Sequence, residues 1–176
     1  MERQLVPEEL ERWERIDGVI YDMSPAPSTA HQIVVSNLTG EFHAYLKDKT
    51  CTAITAPLDV YLDGDDVGQK VQPDLTIVCD SSKIQKNGVY GAPDMVVEVL
   101  SPATAKKDKT TKLRAYKASG VRMYWIVDPI HQYVEVHDLH SDHVFPTTYY
   151  VDDTITVSIF EDLNIELNDI FTIETE

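Results

Sequence analysis

Gln72-Pro73-Asp74 and Gly91-Ala92-Pro93-Asp94-Met95-Val96-Val97-Glu98-Val99-Leu100 are the stretches whose reading decides the fold. Each leads through a Pro-Asp step into a short aliphatic run, as neighbouring strands buried on both faces do. Side chains alternate along a strand, so Asp94, Val96, Glu98 and Leu100 share one face while Met95, Val97 and Val99 share the other. Glu98 therefore sits among apolar neighbours, where an ionised carboxylate is costly unless a cation meets it. No lysine or arginine lies in its own strand. Asp74 and Glu98 together make the oxygen pair that a hard cation such as Mg²⁺ or Mn²⁺ takes, keeping waters that can be activated for hydrolysis. Asp94, in the second Pro-Asp, competes with Asp74 for this role.

The missing cation is expected from the next helix. Lys106 to Ser119 reads as a helix, with Thr104 as its cap and Gly120 as its stop. Asp108, Lys112 and Tyr116 recur every four residues and so share one face. If that face meets the sheet, Lys112 reaches Glu98, positions a water and stabilises charge on a phosphorane-like transition state. If it meets solvent, Asp108 and Lys112 are an ordinary exposed ion pair worth a few tenths of a kcal/mol.

Working outward, Leu5 to Ile16 reads as a short acidic helix, and Val19 to Met23 as a strand after the Asp17-Gly18 turn. Val34, Leu38, Phe42, Tyr45 and Leu46 recur at helical steps, predicting an amphipathic helix from Ser28 or Thr29 to about Lys49. Cys51 to Leu62, Leu75 to Cys79, Met95 to Leu100, Met123 to Val127 and Tyr133 to Leu139 read as strands. A hairpin near Ser141-Asp142 and short β segments at Val144 to Tyr150 and Ile155 to Val157 complete the chain. With no repeat or linker, residues 1–176 read as a single α/β domain, a mixed central sheet flanked by helices with additional C-terminal strands.

The 176 residues carry a formal net charge of −15, from 30 acidic and 15 basic residues. Such a charge repels phosphate backbones at long range and argues against a broad nucleic-acid-binding face. The basic residues are not spread evenly, however, because Lys106, Lys107, Lys109, Lys112, Arg114 and Lys117 gather in the predicted helix. No membrane span or secretory start is visible, so a cytoplasmic location and no membrane contact are expected. Cys51 and Cys79 do not form a disulfide framework or a thiol motif. His137, His140 and His143 straddle a predicted turn, where side chains diverge, so no zinc site is expected there.

The ordered motifs resemble the Uma-type family, a branch of the PD-(D/E)XK restriction-endonuclease-like superfamily. The resemblance rests on Ile16 to Pro25, His31, Gln72-Pro73-Asp74, Gly91 to Pro102, the trio Asp108, Lys112 and Tyr116, and Gly120 to Pro129. It covers roughly residues 10 to 140, and the ordered set is more specific than any single piece. It implies a restriction-endonuclease-like core in which Asp74 and Glu98 supply the motif acids. The superfamily pattern calls for lysine two residues after the glutamate, where this chain has Leu100. The resemblance implies that Lys112 replaces that lysine from the following helix, and that His31 also matches a family position.

The function expected is Mg²⁺- or Mn²⁺-dependent endonuclease hydrolysis of nucleic acid, with DNA as the substrate. Asp74 and Glu98 would bind the metal, Lys112 would assist catalysis, and His31, Asp94, Asp108 and Tyr116 would be accessory. By analogy with the family, a homodimer would serve to cut both strands. The alternatives are a nuclease fold kept as an inactive binding or assembly module, favoured by the acidic surface and Leu100, and a metal-dependent hydrolase of a small phosphorylated molecule.

Overall fold

The computed structural model describes residues 12–23, 26–142 and 145–172. In chain order its strands and helices are β1 (Trp13–Ile16), β2 (Val19–Asp22), α1 (Thr29–Leu46), β3 (Thr52–Thr55), β4 (Val60–Tyr61), β5 (Lys70–Val71), β6 (Leu75–Val78), β7 (Ile84–Gln85), β8 (Gly88–Tyr90) and β9 (Met95–Val99). One helical run then comprises α2 (Ala105–Lys107), a π-helical turn (Asp108–Lys112) and α3 (Leu113–Ser119). β10 (Met123–Asp128), β11 (Tyr133–Asp138), β12 (Thr147–Tyr150), β13 (Thr154–Thr156), β14 (Asn164–Glu166) and α4 (Leu167–Phe171) follow.

The central sheet has the order β12-β11-β10-β9-β6-β3. Within this sheet only β9 and β10 pair in parallel, and the helical run between them is their crossover connection. Met95, Val97 and Val99 point to a core shared with Val34, Leu38 and Phe42 of α1 and with the C-terminal residues Ile155, Ile165 and Ile170. Val96 and Leu100 point the other way, to a second core with Ala115 and Tyr116 of α3. The alternation expected along this strand is therefore the one found. A second sheet, β2-β1-β5-β4-β8-β7, adds Ile16, Val60, Val71 and Val89 to the same second core. The expected mixed sheet flanked by helices is present, while this second sheet, built from strands of two to four residues, was not foreseen.

Three expectations are corrected. Residues 5–11 of the predicted first helix lie outside the described residues, but Trp13–Ile16 is a strand. Asp17 and Gly18 both take positive φ, 49° and 77°, and join Ile16 to Val19 as the corners of a tight hairpin. Such a two-residue turn connects strands on both sides, so the segment before it cannot be helical. The predicted strand Cys51 to Leu62 breaks at Pro57, leaving β3 in the central sheet and β4 in the second. Cys51 and Cys79, which carried no disulfide signal by composition, are bonded to each other. The β3–β6 register pairs Thr52 with Val78, which brings the flanking cysteines face to face.

Among the described residues no helix is long and apolar enough to cross a membrane. Phe42 is fully buried and packs edge-on against Trp125 with ring centroids 5.9 Å apart. Truncation by Phe42→Ala is expected to destabilise the fold by about 3–5 kcal/mol, checked by urea titration.

Candidate active site

The β6–β9 register pairs Leu75 with Val97 and Thr76 with Val96, which sets Asp74 across from Glu98 where the two strands end. Asp74 is fixed there by the Val99 N–H, which donates to its Oδ2 at 2.8 Å. The same oxygen lies 3.2 Å from His31 Nε2. Ser28 places that histidine, since its hydroxyl accepts from the His31 N–H and caps α1. Burial disfavours the charged imidazole, but the hydrogen bond and charge of Asp74 outweigh it and raise the His31 pKa above its ordinary value.

Glu98 is buried, and its Oε1 accepts from Lys112 Nζ at 2.8 Å and from the Tyr116 hydroxyl at 2.6 Å. The face carrying Asp108, Lys112 and Tyr116 thus does meet the sheet. Asp108 Oδ1 is 3.5 Å from Lys112 Nζ, and the Asp108 carbonyl accepts from the Tyr124 hydroxyl at 3.1 Å. Asp94 does not join them. It sits where β9 begins, taking the Cys79 N–H at 2.8 Å and facing Arg122 at 3.5 Å.

Glu14 is the residue that the sequence reading missed. It projects from β1 between the sheets, and no part of it is exposed. Its Oε1 meets Lys112 Nζ at 2.9 Å and accepts from the Gln72 N–H at 3.0 Å, while its Oε2 meets Lys107 Nζ at 2.7 Å. A signal was available. Once Asp17-Gly18 is read as a hairpin corner, period-two alternation puts Glu14 on the same face as Ile16, an acid on the buried side of a strand.

The π-helical turn explains how two lysines reach one carboxylate. In an α-helix of about 3.6 residues per turn, side chains five apart diverge. A wider turn closed by i→i+5 bonding brings them back toward one side. Lys107 and Lys112 are five apart and bracket this turn.

The electrostatics of the cluster are unequal. Burial works against the charge of Glu14, yet Lys112 and then Lys107 overcome it and hold its pKa down at about 2. Burial also opposes the charge of Lys112, but Glu14 and Glu98 keep it an ammonium ion. Glu98 is pushed well above the ordinary carboxyl range by burial, which Lys112 counters only in part and which Asp108, Asp74 and Glu14 reinforce. Glu98 and Lys112 form a close pair, but the lysine is shared with Glu14 and Asp108. The acids outnumber the lysines, and burial raises both Glu98 and Asp108 above the ordinary carboxyl range.

Among the described residues no three His, Cys, Asp or Glu side chains converge into a ready-made metal cage. Mg²⁺ does not require one, because it is commonly held by one or two carboxylates with water and substrate phosphate completing its shell. Asp74 and Glu98, opposite each other on adjoining strands and both lining a cavity of about 800 Å³, are the pair that could meet that requirement.

A mixed sheet with opposed acids at one edge and a lysine from the flanking helix defines a core of the restriction-endonuclease-like class. The chain belongs to the Uma2 family, whose model, described as "Putative restriction endonuclease", matches residues 2–168. The fold is similar to a crystal structure titled "a putative nuclease belonging to DUF820" from Anabaena variabilis ATCC 29413. That match has a TM-score of 0.73 and 22% identity, and covers 90% of this chain and 89% of that one. In sequence the chain is 29% identical over 121 residues to "Uncharacterized protein slr1290" of Synechocystis sp. (strain ATCC 27184 / PCC 6803 / Kazusa), a match spanning 64% of this chain and 62% of that relative.

The Glu14 cluster has a pH signature. A pKa lowered from 4.5 to about 2 in the fold gives stability that is fully present above the unfolded value and lost as pH falls through the folded one. The stability gap between wild type and Glu14→Gln is expected to be on the order of 3 kcal/mol near neutrality. Urea titrations across pH should show that gap constant above about 4.5 and shrinking toward about 2.

Proposed function

We propose that this protein is a divalent-metal-dependent endonuclease that hydrolyses phosphodiester bonds in DNA. The observation that carries the reading is the position of Lys112 Nζ, 2.8 Å from Glu98 Oε1, with Asp74 opposite on the adjoining strand. A lysine beside the second acid is what Leu100 fails to provide from the strand, and the helix supplies it.

Asp74 and Glu98 are the residues that would hold the cation. When bound, Mg²⁺ or Mn²⁺ supplies Lewis-acid stabilisation of phosphate charge and favours ionisation of a water. Lys112, kept charged by Glu14, orients the attacking water and offsets negative charge as the phosphorane-like transition state forms. Tyr116 donates to the same Glu98 oxygen as the lysine and helps fix that carboxylate, and the Val99 N–H and His31 hold that of Asp74. Attack forms a new bond from the water oxygen to phosphorus and breaks that to the leaving oxygen, and the proton the water gives up is balanced by the one the leaving oxygen takes on.

The net charge of −15 is met by local arrangement, since the cavity wall carries Arg12, Lys106 and Lys107 as well as Lys112. Against the acids Asp22, Asp74, Glu98 and Asp108 these four cations leave the lining evenly charged rather than strongly acidic, which admits a phosphate-rich polymer as substrate. Cutting both strands of a duplex calls for two such cavities, so the reading extends to a homodimer on DNA.

The test is a cleavage panel of single-stranded, duplex and branched DNA at low salt with Mg²⁺ or Mn²⁺. Metal-dependent nicking is expected from wild type, none from Asp74→Ala or Glu98→Ala, and about 100- to 1,000-fold slower cleavage from Lys112→Ala. DNA left intact by wild type across the panel, or cleavage that persists in both acid variants, would overturn the reading.

A further inference from the structure

Lys107 takes no part in the chemistry just described, yet it is anchored by the same buried carboxylate as the lysine that does. Each oxygen of Glu14 holds one lysine, Oε1 at 2.9 Å from Lys112 and Oε2 at 2.7 Å from Lys107. Anchoring Lys112 alone would need only one of those oxygens. Bringing a second ammonium out of water is costly, and the helix must leave regular α geometry to deliver it. Lys107 is also not spent on Glu14. An ammonium has three donors, its side chain retains 15% of its accessibility, and it lines the cavity beside Glu98 and Lys112. The Tyr21 ring, 5.1 Å from its Nζ, restrains it further. A cavity of about 800 Å³ lies in the size range that encloses a whole small molecule, far more than one phosphate needs.

We propose that Glu14 is a positioning residue that assigns two lysines to two phosphates of one nucleic-acid strand. Lys112 serves the scissile phosphate and Lys107 grips its neighbour along the same strand. The inference rests on the nuclease reading above, and it adds a substrate-binding contact and the residue that sets it. The carboxylate fixes the spacing of the two ammonium groups, and the π-helical turn lets both reach it from one helix.

The experiment measures binding of fluorescently labelled single-stranded and duplex DNA at a series of salt concentrations, with Asp74→Asn as a non-cleaving parent. A lysine that neutralises one phosphate contributes about 0.7–0.9 to the slope of log affinity against log salt. Adding Lys107→Gln is expected to weaken binding alike for different sequences and to reduce the slope by that amount, while Lys107→Arg retains it. Glu14→Gln is expected to reduce the slope by at least that amount, since both lysines lose their anchor, and adding Lys107→Gln to it to produce no further reduction, which a general loss of stability would not do. An unchanged slope with Lys107→Gln would overturn the second phosphate contact. A slope lowered by Lys107→Gln but not by Glu14→Gln, or additive losses in the double variant, would overturn the positioning role. If the parent binds no DNA even at low salt, the nuclease reading falls together with this one.

Discussion

The ammonium of Lys112 is where the layers of the molecule meet. Glu98 reaches it from the central sheet, Glu14 from the second sheet, and Asp108 from its own helix. All four groups are buried, so none can be left alone cheaply. Removing one partner from such a group strands a charge away from water, at a cost of about 3–5 kcal/mol. The second sheet, the crossover helix and β9 are therefore tied to one arrangement by charge as well as by apolar packing. The site inherits its precision from that tie.

The cluster carries more acid than base. Glu14 has the strongest hold on the lysines and stays ionised, while Glu98 is pushed toward its neutral form. Asp74 stands opposite it on the adjoining strand. The π-helical turn is part of the same device, because it lets two lysines of one helix share a carboxylate on another element.

Much of this was legible in the sequence, for identifiable reasons. Period-two alternation in Met95 to Leu100 gave the two faces of β9, and the four-residue spacing of Asp108, Lys112 and Tyr116 put them on one helix face, which the structure turns inward. Asp74 could be paired with Glu98 because two Pro-Asp steps opened two aliphatic runs. What escaped depended on long-range geometry or on too short a signal. Strands of two to four residues barely establish a period, which hid the second sheet and let Trp13–Ile16 pass as helix. Glu14 was lost with it. The Cys51–Cys79 bond follows from β3–β6 register, which local composition does not encode. Asp94 shares its Pro-Asp context with Asp74, and only its place at the opposite end of β9 from Glu98 separates the two.

The central claim is that the helix supplies the lysine which the strand lacks. It is tested most directly by moving that lysine back, since Leu100 lies on the same face as Glu98 and lines the same cavity. Mg²⁺-dependent DNA cleavage would be compared for wild type, Lys112→Leu and the double variant Leu100→Lys, Lys112→Leu, each with wild-type circular dichroism. The single variant should lose at least about 100-fold in rate, and the double variant should recover a measurable part of that loss. A single variant as active as wild type, or a double variant no more active than the single, would contradict the claim.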